Sequence, residues 1–148
     1  MNTKIPPPIV TLTFGLIIYS SKSFFPLYSV DDSNIISVIF LLFGLGIFSA
    51  AVQSFKKHKT TINPLIPDQA SSLVNSGIFS YTRNPMYLGM LLILLSVSFK
   101  FNIAGGIFIS FLFKIYITRF QIIPEEVAMT KLFGEEFIIY KNQTRRWI

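Results

Sequence analysis

Cysteine is absent from the 148 residues, which excludes disulfides, thiolate metal sites and a cysteine nucleophile and leaves the redox compartment open. Charge is scarce as well. Charged residues make up 14% of the chain, about half of the roughly 25% usual in soluble domains. The single histidine, His58, stands in the basic run KKHK and reads as a solvated side chain without a ligand role. There is no HExxH pattern and no Cys/His metal spacing, and Ser, Thr and Asp do not assemble a nucleophilic triad. Internal repeats and low-complexity tracts are missing too. No Asp or Glu falls inside a long apolar stretch, which argues against a transporter built around a buried carboxylate.

What fills the chain is hydrocarbon. Hydrophobic residues reach 51%, with 16 Phe among them, and the expected fold class is an all-α integral membrane protein forming one domain over residues 1–148. The start, MNTKIPPPIV, lacks a clean small-residue cleavage site and reads as retained. Four apolar segments follow, at 8–25, 35–55, 86–99 and 103–123. The second and fourth have the roughly 20 residues that a crossing needs, whereas the first crosses only with tilt or thinning. Only Lys100, Phe101 and Asn102 separate the third from the fourth, which predicts a tight antiparallel hairpin. A helical tail then follows on the cytoplasmic side.

Basic residues set the expected orientation. With four crossings, one side collects Lys4, Lys56, Lys57, Lys59, Arg83, Arg119, Lys131, Lys141, Arg145 and Arg146. The other has only Lys22 and Lys100, beside Asp31 and Asp32. Both termini and the 56–84 loop are thus expected in the cytoplasm. The net charge of +6 is accounted for by anionic lipid and calls for no nucleic acid.

The unusual polar groups concentrate on that side in two blocks, LVNSGIFSYTRNPMYLG at 73–89 and RFQIIPEEVAMTKLFGEEFIIYKNQTRRWI at 119–148. Across the expected hairpin, Pro85 and Pro124 lie level, so Arg83, Asn84 and Tyr87 can face Glu125 and Glu126. Pro85 suits the first turn of a helix and holds Asn84 extended. The backbone N–H groups of Met86 and Tyr87, with the Arg83 guanidinium, would suit a carboxylate. Gly89 removes a side chain where a ligand or a facing helix could approach. Pro124 is expected to begin a new helix that Gly134 stops. Such a set suits a zwitterion carrying an aromatic ring.

TRNPMYLG followed by PEE, LFGEEF, a tyrosine and TRRWI resembles the isoprenylcysteine carboxyl methyltransferase and phospholipid methyltransferase superfamily. Its pattern is Arg-His-Pro-x-Tyr-x-Gly, a Glu-Glu pair, and a Phe-Gly-x-x-(Phe/Tyr)-x-x-Tyr stretch ending in Arg-Trp. The similarity runs from Thr60 to Ile148, with TTINP at its start, and two motifs in the right order are far more specific than one. The resemblance implies an S-adenosylmethionine-dependent methyltransferase acting on a lipophilic acceptor, a carboxylate or amine of an isoprenoid or lipid. Carried over by position, the cofactor pocket would comprise Arg83, Asn84, Pro85, Tyr87, Gly89, Glu125 and Glu126, with Arg83 and Glu126 as the catalytic candidates. Asn84 stands where the pattern has histidine, so any imidazole role is lost.

Each residue also has a plainer reading. Arg83 and Tyr87 suit headgroup anchoring, and the Glu pair suits a helix dipole. Tyr140, Arg145, Arg146 and Trp147 read as an interfacial anchor for the tail, and Lys114 as a snorkelling lysine. Two other functions compete: an NADPH-dependent reductase of related but much longer architecture, and a non-enzymatic four-helix transporter or assembly factor.

Overall fold

The computed structural model describes residues 5–26, 28, 30–58 and 71–148. Lys4, Lys59 and the TTINP stretch lie outside them. Among the described residues the chain is all-helical: α1 (Pro7–Ser20), α2 (Ser33–Lys57), α3 (Pro85–Phe101), α4 (Ile103–Ile117), α5 (Ile123–Phe133) and α6 (Glu135–Gln143), with short 3₁₀ turns at Ser21–Ser23 and Gly77–Ser80.

Local chemistry explains the boundaries. α1 opens on Pro7, and its Thr11 and Thr13 hydroxyls donate to the Pro7 and Ile9 carbonyls at 2.9 Å, which satisfies them in an apolar helix. α3 likewise opens on Pro85. Asn102 ends α3 and begins α4 at once: its side-chain oxygen accepts the Gly105 N–H at 3.0 Å, and its amide donates to Ser21 Oγ at 3.1 Å.

Pro124 does not begin a separate helix, contrary to the sequence expectation. Residues Thr118–Ile122 form a π turn that joins α4 to α5, with the Ile123 N–H bonded to the Thr118 carbonyl, so one helix runs Ile103–Phe133. The wider turn lets the backbone pass a proline that can neither donate to the preceding turn nor fit closely against it.

Two helices, α2 and the continuous Ile103–Phe133 helix, are long and apolar enough to cross a membrane, and α3 is a shorter apolar helix. The apolar part of the long helix ends at Ile123, before the Glu pair. Their outward faces are greasy: Leu42 and Phe43 on α2 are 63% and 64% exposed, and Phe111 on α4 is 57% exposed. Apolar area on this scale is stable against lipid and not against water. This is a membrane protein.

Packing falls into two clusters. Val10, Ile18, Leu94, Phe113 and Ile117 from α1, α3 and α4 form the first. The second joins Ala51 in the last turns of α2 with Val74, Phe79, Phe137 and Tyr140. Contacts fix the level of each helix end. The Gln121 amide donates to the Ile5 carbonyl at 2.8 Å, while at the opposite end Lys100 Nζ meets Asn34 Oδ1 at 2.9 Å. Between these levels the Ser37 hydroxyl donates to the Ser96 carbonyl, joining α2 to α3.

Candidate functional site

The two polar blocks meet where the two apolar clusters adjoin. Arg83, just before α3, reaches Glu126 on α5 with Nη2 2.8 Å from Oε1. Arg146 completes the clasp, with Nε 2.9 Å from Oε1 and Nη2 2.7 Å from Oε2. A buried carboxylate between two guanidinium groups stays ionised: burial alone would raise the Glu126 pKa, but hydrogen bonds and charge from Arg146 and Arg83 hold it below the usual range. The Glu126 partner in turn raises the pKa of Arg146.

Glu125, its neighbour, behaves oppositely. Removal from water pushes its pKa up to about 8; the hydrogen bond from the Tyr87 hydroxyl lowers it and the Glu126 charge raises it. Two adjacent glutamates therefore have pKa values displaced in opposite directions, Glu126 toward the anion and Glu125 toward the neutral acid.

The C-terminal tail covers the start of α3. The Arg83 N–H donates to the Arg145 carbonyl at 3.0 Å, and the Asn84 amide donates to the Arg146 carbonyl at 2.8 Å. Arg83 Nη1 donates to the carbonyls of Lys141, at 2.9 Å, and Thr144. The Tyr140 hydroxyl donates to the Phe79 carbonyl at 2.6 Å. Tail and first block are thus one unit, and the tail takes up the Arg83 N–H, its Nη1 and the Asn84 amide at the start of α3. What Arg83 retains is Nε, buried and without a partner among the described residues.

A cavity of about 110 Å³ opens beside these groups. Arg83, Asn84, Glu125 and Glu126 form its polar wall, and Phe55, Phe79, Ile122, Met129 and Phe137 are among its apolar lining. Of the residues expected there from sequence, Tyr87 sits behind Glu125, and Pro85 is buried at the helix start. Gly89 lies elsewhere. A Cβ at Gly89 would stand 2.7 Å from the Gly44 carbonyl oxygen and 3.1 Å from Phe48, so Gly89 serves the crossing of α3 with α2 and not the cavity wall.

Arg146, which in the sequence reads as an interfacial anchor, belongs to the site, and the order of TRRWI after the Glu pair is its one sequence signal. Trp147 also packs inward, donating from Nε1 to Thr118 Oγ1 at 3.2 Å. His58 is half-buried and hydrogen-bonded. Its Nδ1 lies 2.8 Å from the Ser54 carbonyl, its Nε2 3.4 Å from Ser76 Oγ, and its own carbonyl accepts the Ser72 hydroxyl. It therefore pins the end of α2 to the first block.

Comparison with known proteins bears on what this site does. A stretch of 63 residues, 43% of the chain, is 36% identical to an uncharacterized protein of Haemophilus influenzae and covers that protein's whole length. No solved structure matches the chain. Residues 33–136 match the phospholipid methyltransferase family, a region that contains Arg83, Tyr87 and both glutamates of the site. With most of its length inside that match, the chain belongs to the phospholipid methyltransferase family, within the isoprenylcysteine carboxyl methyltransferase superfamily.

Proposed function

We propose that this chain is an S-adenosylmethionine-dependent membrane methyltransferase that modifies a lipophilic carboxylate or amine at the cytoplasmic rim of a four-crossing bundle. In this reading α1 to α4 alternate in direction, α3 and α4 form the last hairpin, and the termini share the cavity's side. The levels of the Gln121–Ile5 and Lys100–Asn34 contacts support that arrangement.

The observation that carries the proposal is the cavity itself, with a charged wall facing an aromatic and aliphatic one at the end of the bundle. Its donor set fits the cofactor. The unpartnered Arg83 Nε would take the cofactor carboxylate, Glu125 would face its cationic part, and Phe55, Phe79 and Phe137 offer surface to its adenine. When bound, the cofactor supplies a methyl group already activated by sulfonium.

The protein's own share is alignment and exclusion of water. Glu126 is held at both oxygens by Arg83 and Arg146, so its part is to hold the tail and the Arg83 fork in place and not to move a proton. Burial favours the neutral form of Glu125, and the cationic part of a bound cofactor would oppose that and favour the carboxylate, which could then take a proton from an ammonium acceptor. A carboxylate acceptor needs no such help.

Transfer of a tritiated methyl group from S-adenosylmethionine into the organic extract of proteoliposomes tests the proposal. Label should appear with the wild type. Glu125→Gln should lower kcat by about 10²-fold for an amine acceptor and leave it nearly unchanged for a carboxylate. Absence of transfer across lipid extracts of several bacterial membranes would contradict the proposal.

A further inference from the structure

One charged group has no part in the site described. Lys114 lies near the middle of the apolar part of the long helix, with Ile123 about 14 Å further along at 1.5 Å per residue. Among the described residues no carboxylate stands within 4.0 Å of its ammonium, and its one interaction is with the Trp147 ring, 5.6 Å from Nζ to the centroid. An ammonium at this depth is costly unless it is paired or reaches the interface.

Its position on α4 is informative. Gly106, Ser110, Lys114 and Thr118 recur every fourth residue and share one helical stripe. At one end that stripe packs on α3, with Gly106 against Ser98 and Ser110 Oγ 3.3 Å from Ser98 Oγ. At the other end the stripe meets Trp147, which bonds Thr118 and packs on the cluster shared by α3 and α4. Trp147 follows Arg146, whose guanidinium grips Glu126 at the cavity. The seam between α3 and α4 thus has a half-buried cation, an indole and a hydroxyl along a line toward the catalytic rim, beside the lipid-facing Phe111 and Ile115.

We infer that Lys114, with Trp147 as its cover, docks an anionic oxygen group, a carboxylate or a phosphate, of the lipophilic acceptor as it enters from the bilayer through this seam. The inference rests on the methyltransferase reading for the word acceptor; the anion site itself does not depend on it. A lipid with one negative headgroup supplies the counter-charge that Lys114 lacks, and its chain continues along the outer face of α4.

Trp147 is the only tryptophan of the chain, so its fluorescence reports on this place alone. Protein in phosphatidylcholine nanodiscs is titrated with 9,10-dibromostearate, with brominated-chain phosphatidylglycerol, and with the uncharged methyl ester of dibromostearate. Preferential, saturable quenching by one or both anionic probes is expected, at roughly five- to tenfold lower mole fraction than the ester. The preference should vanish in Lys114→Met and persist in Lys114→Arg, and the more effective anion identifies the headgroup class. Equal quenching by the ester, or a preference that survives in Lys114→Met, would overturn the inference. Binding of S-adenosylhomocysteine, measured on the same samples, should be unchanged in Lys114→Met. Its absence from the wild type would count against the methyltransferase reading alone, because the quenching result stands or falls separately.

Discussion

At the residue scale, the decisive contrast is between two neighbours that the sequence presents as equals. Glu126 is clasped by two arginines that lower its pKa, whereas burial raises that of Glu125 despite its hydrogen bond from Tyr87, and the two are driven apart. Stability against pH separates them. Glu125 is raised from 4.5 to about 8, so the folded state holds its proton more tightly than the unfolded chain. Its stabilising contribution is complete below pH 4.5 and is lost as pH rises through 8. Glu126 is lowered, so its contribution is present above 4.5 and lost as pH falls through its depressed value. Melting temperatures recorded in detergent across this range should show a decline on the alkaline limb that Glu125→Gln flattens. The acid limb should remain. Glu126→Ala, which strands two guanidinium groups in a largely buried clasp, should cost about 3 kcal/mol, seen as a lower melting temperature at neutral pH.

Among the elements, the crossing of α2 and α3 carries a prediction that separates packing from ligand binding. Gly44 and Gly89 face each other closely enough that a Cβ on either would meet the other's carbonyl oxygen at 2.8 or 2.7 Å. Gly89→Val should therefore push the helices apart and cost roughly 1–3 kcal/mol. Affinity for S-adenosylhomocysteine per folded molecule should hold, and a selective loss of affinity without a loss of stability would place Gly89 in the pocket after all. Sequence could not decide this, because which face of α3 points at α2 depends on tertiary neighbours and not on helical spacing. The π turn was equally hidden. One wide turn at Thr118–Ile122 leaves the apolar pattern intact, so Pro124 read as a helix start. By contrast, the meeting of Arg83 with Glu126 was legible, since both polar blocks flank apolar segments joined by a very short link. Arg146 was not legible for the opposite reason: the path of a tail after Gly134, whose φ is +52°, is set by contacts with the first block and by no pattern of its own.

For the whole molecule, the proposed topology has the cavity, the clasp and the tail on one side of the membrane and the Lys22 and Lys100 ends on the other. The lack of cysteine makes this simple to examine. Single cysteines at Tyr81 or Glu136, both exposed, should react with an impermeant maleimide only from the cytoplasmic face of inverted vesicles. Cysteines at Lys22 or Lys100 should react only from the opposite face of intact cells. Labelling of both pairs from one side would rule out the alternating arrangement.

The most direct measurement of the central claim is calorimetric binding of S-adenosylhomocysteine to the purified protein in nanodiscs, beside Arg83→Lys and Glu125→Gln. The account predicts wild-type binding that weakens by roughly tenfold or more in Arg83→Lys, where charge is kept but the free Nε and the fork are lost. Wild-type protein that is folded and monodisperse yet binds no S-adenosylhomocysteine, or that binds it equally well with lysine at position 83, would contradict it.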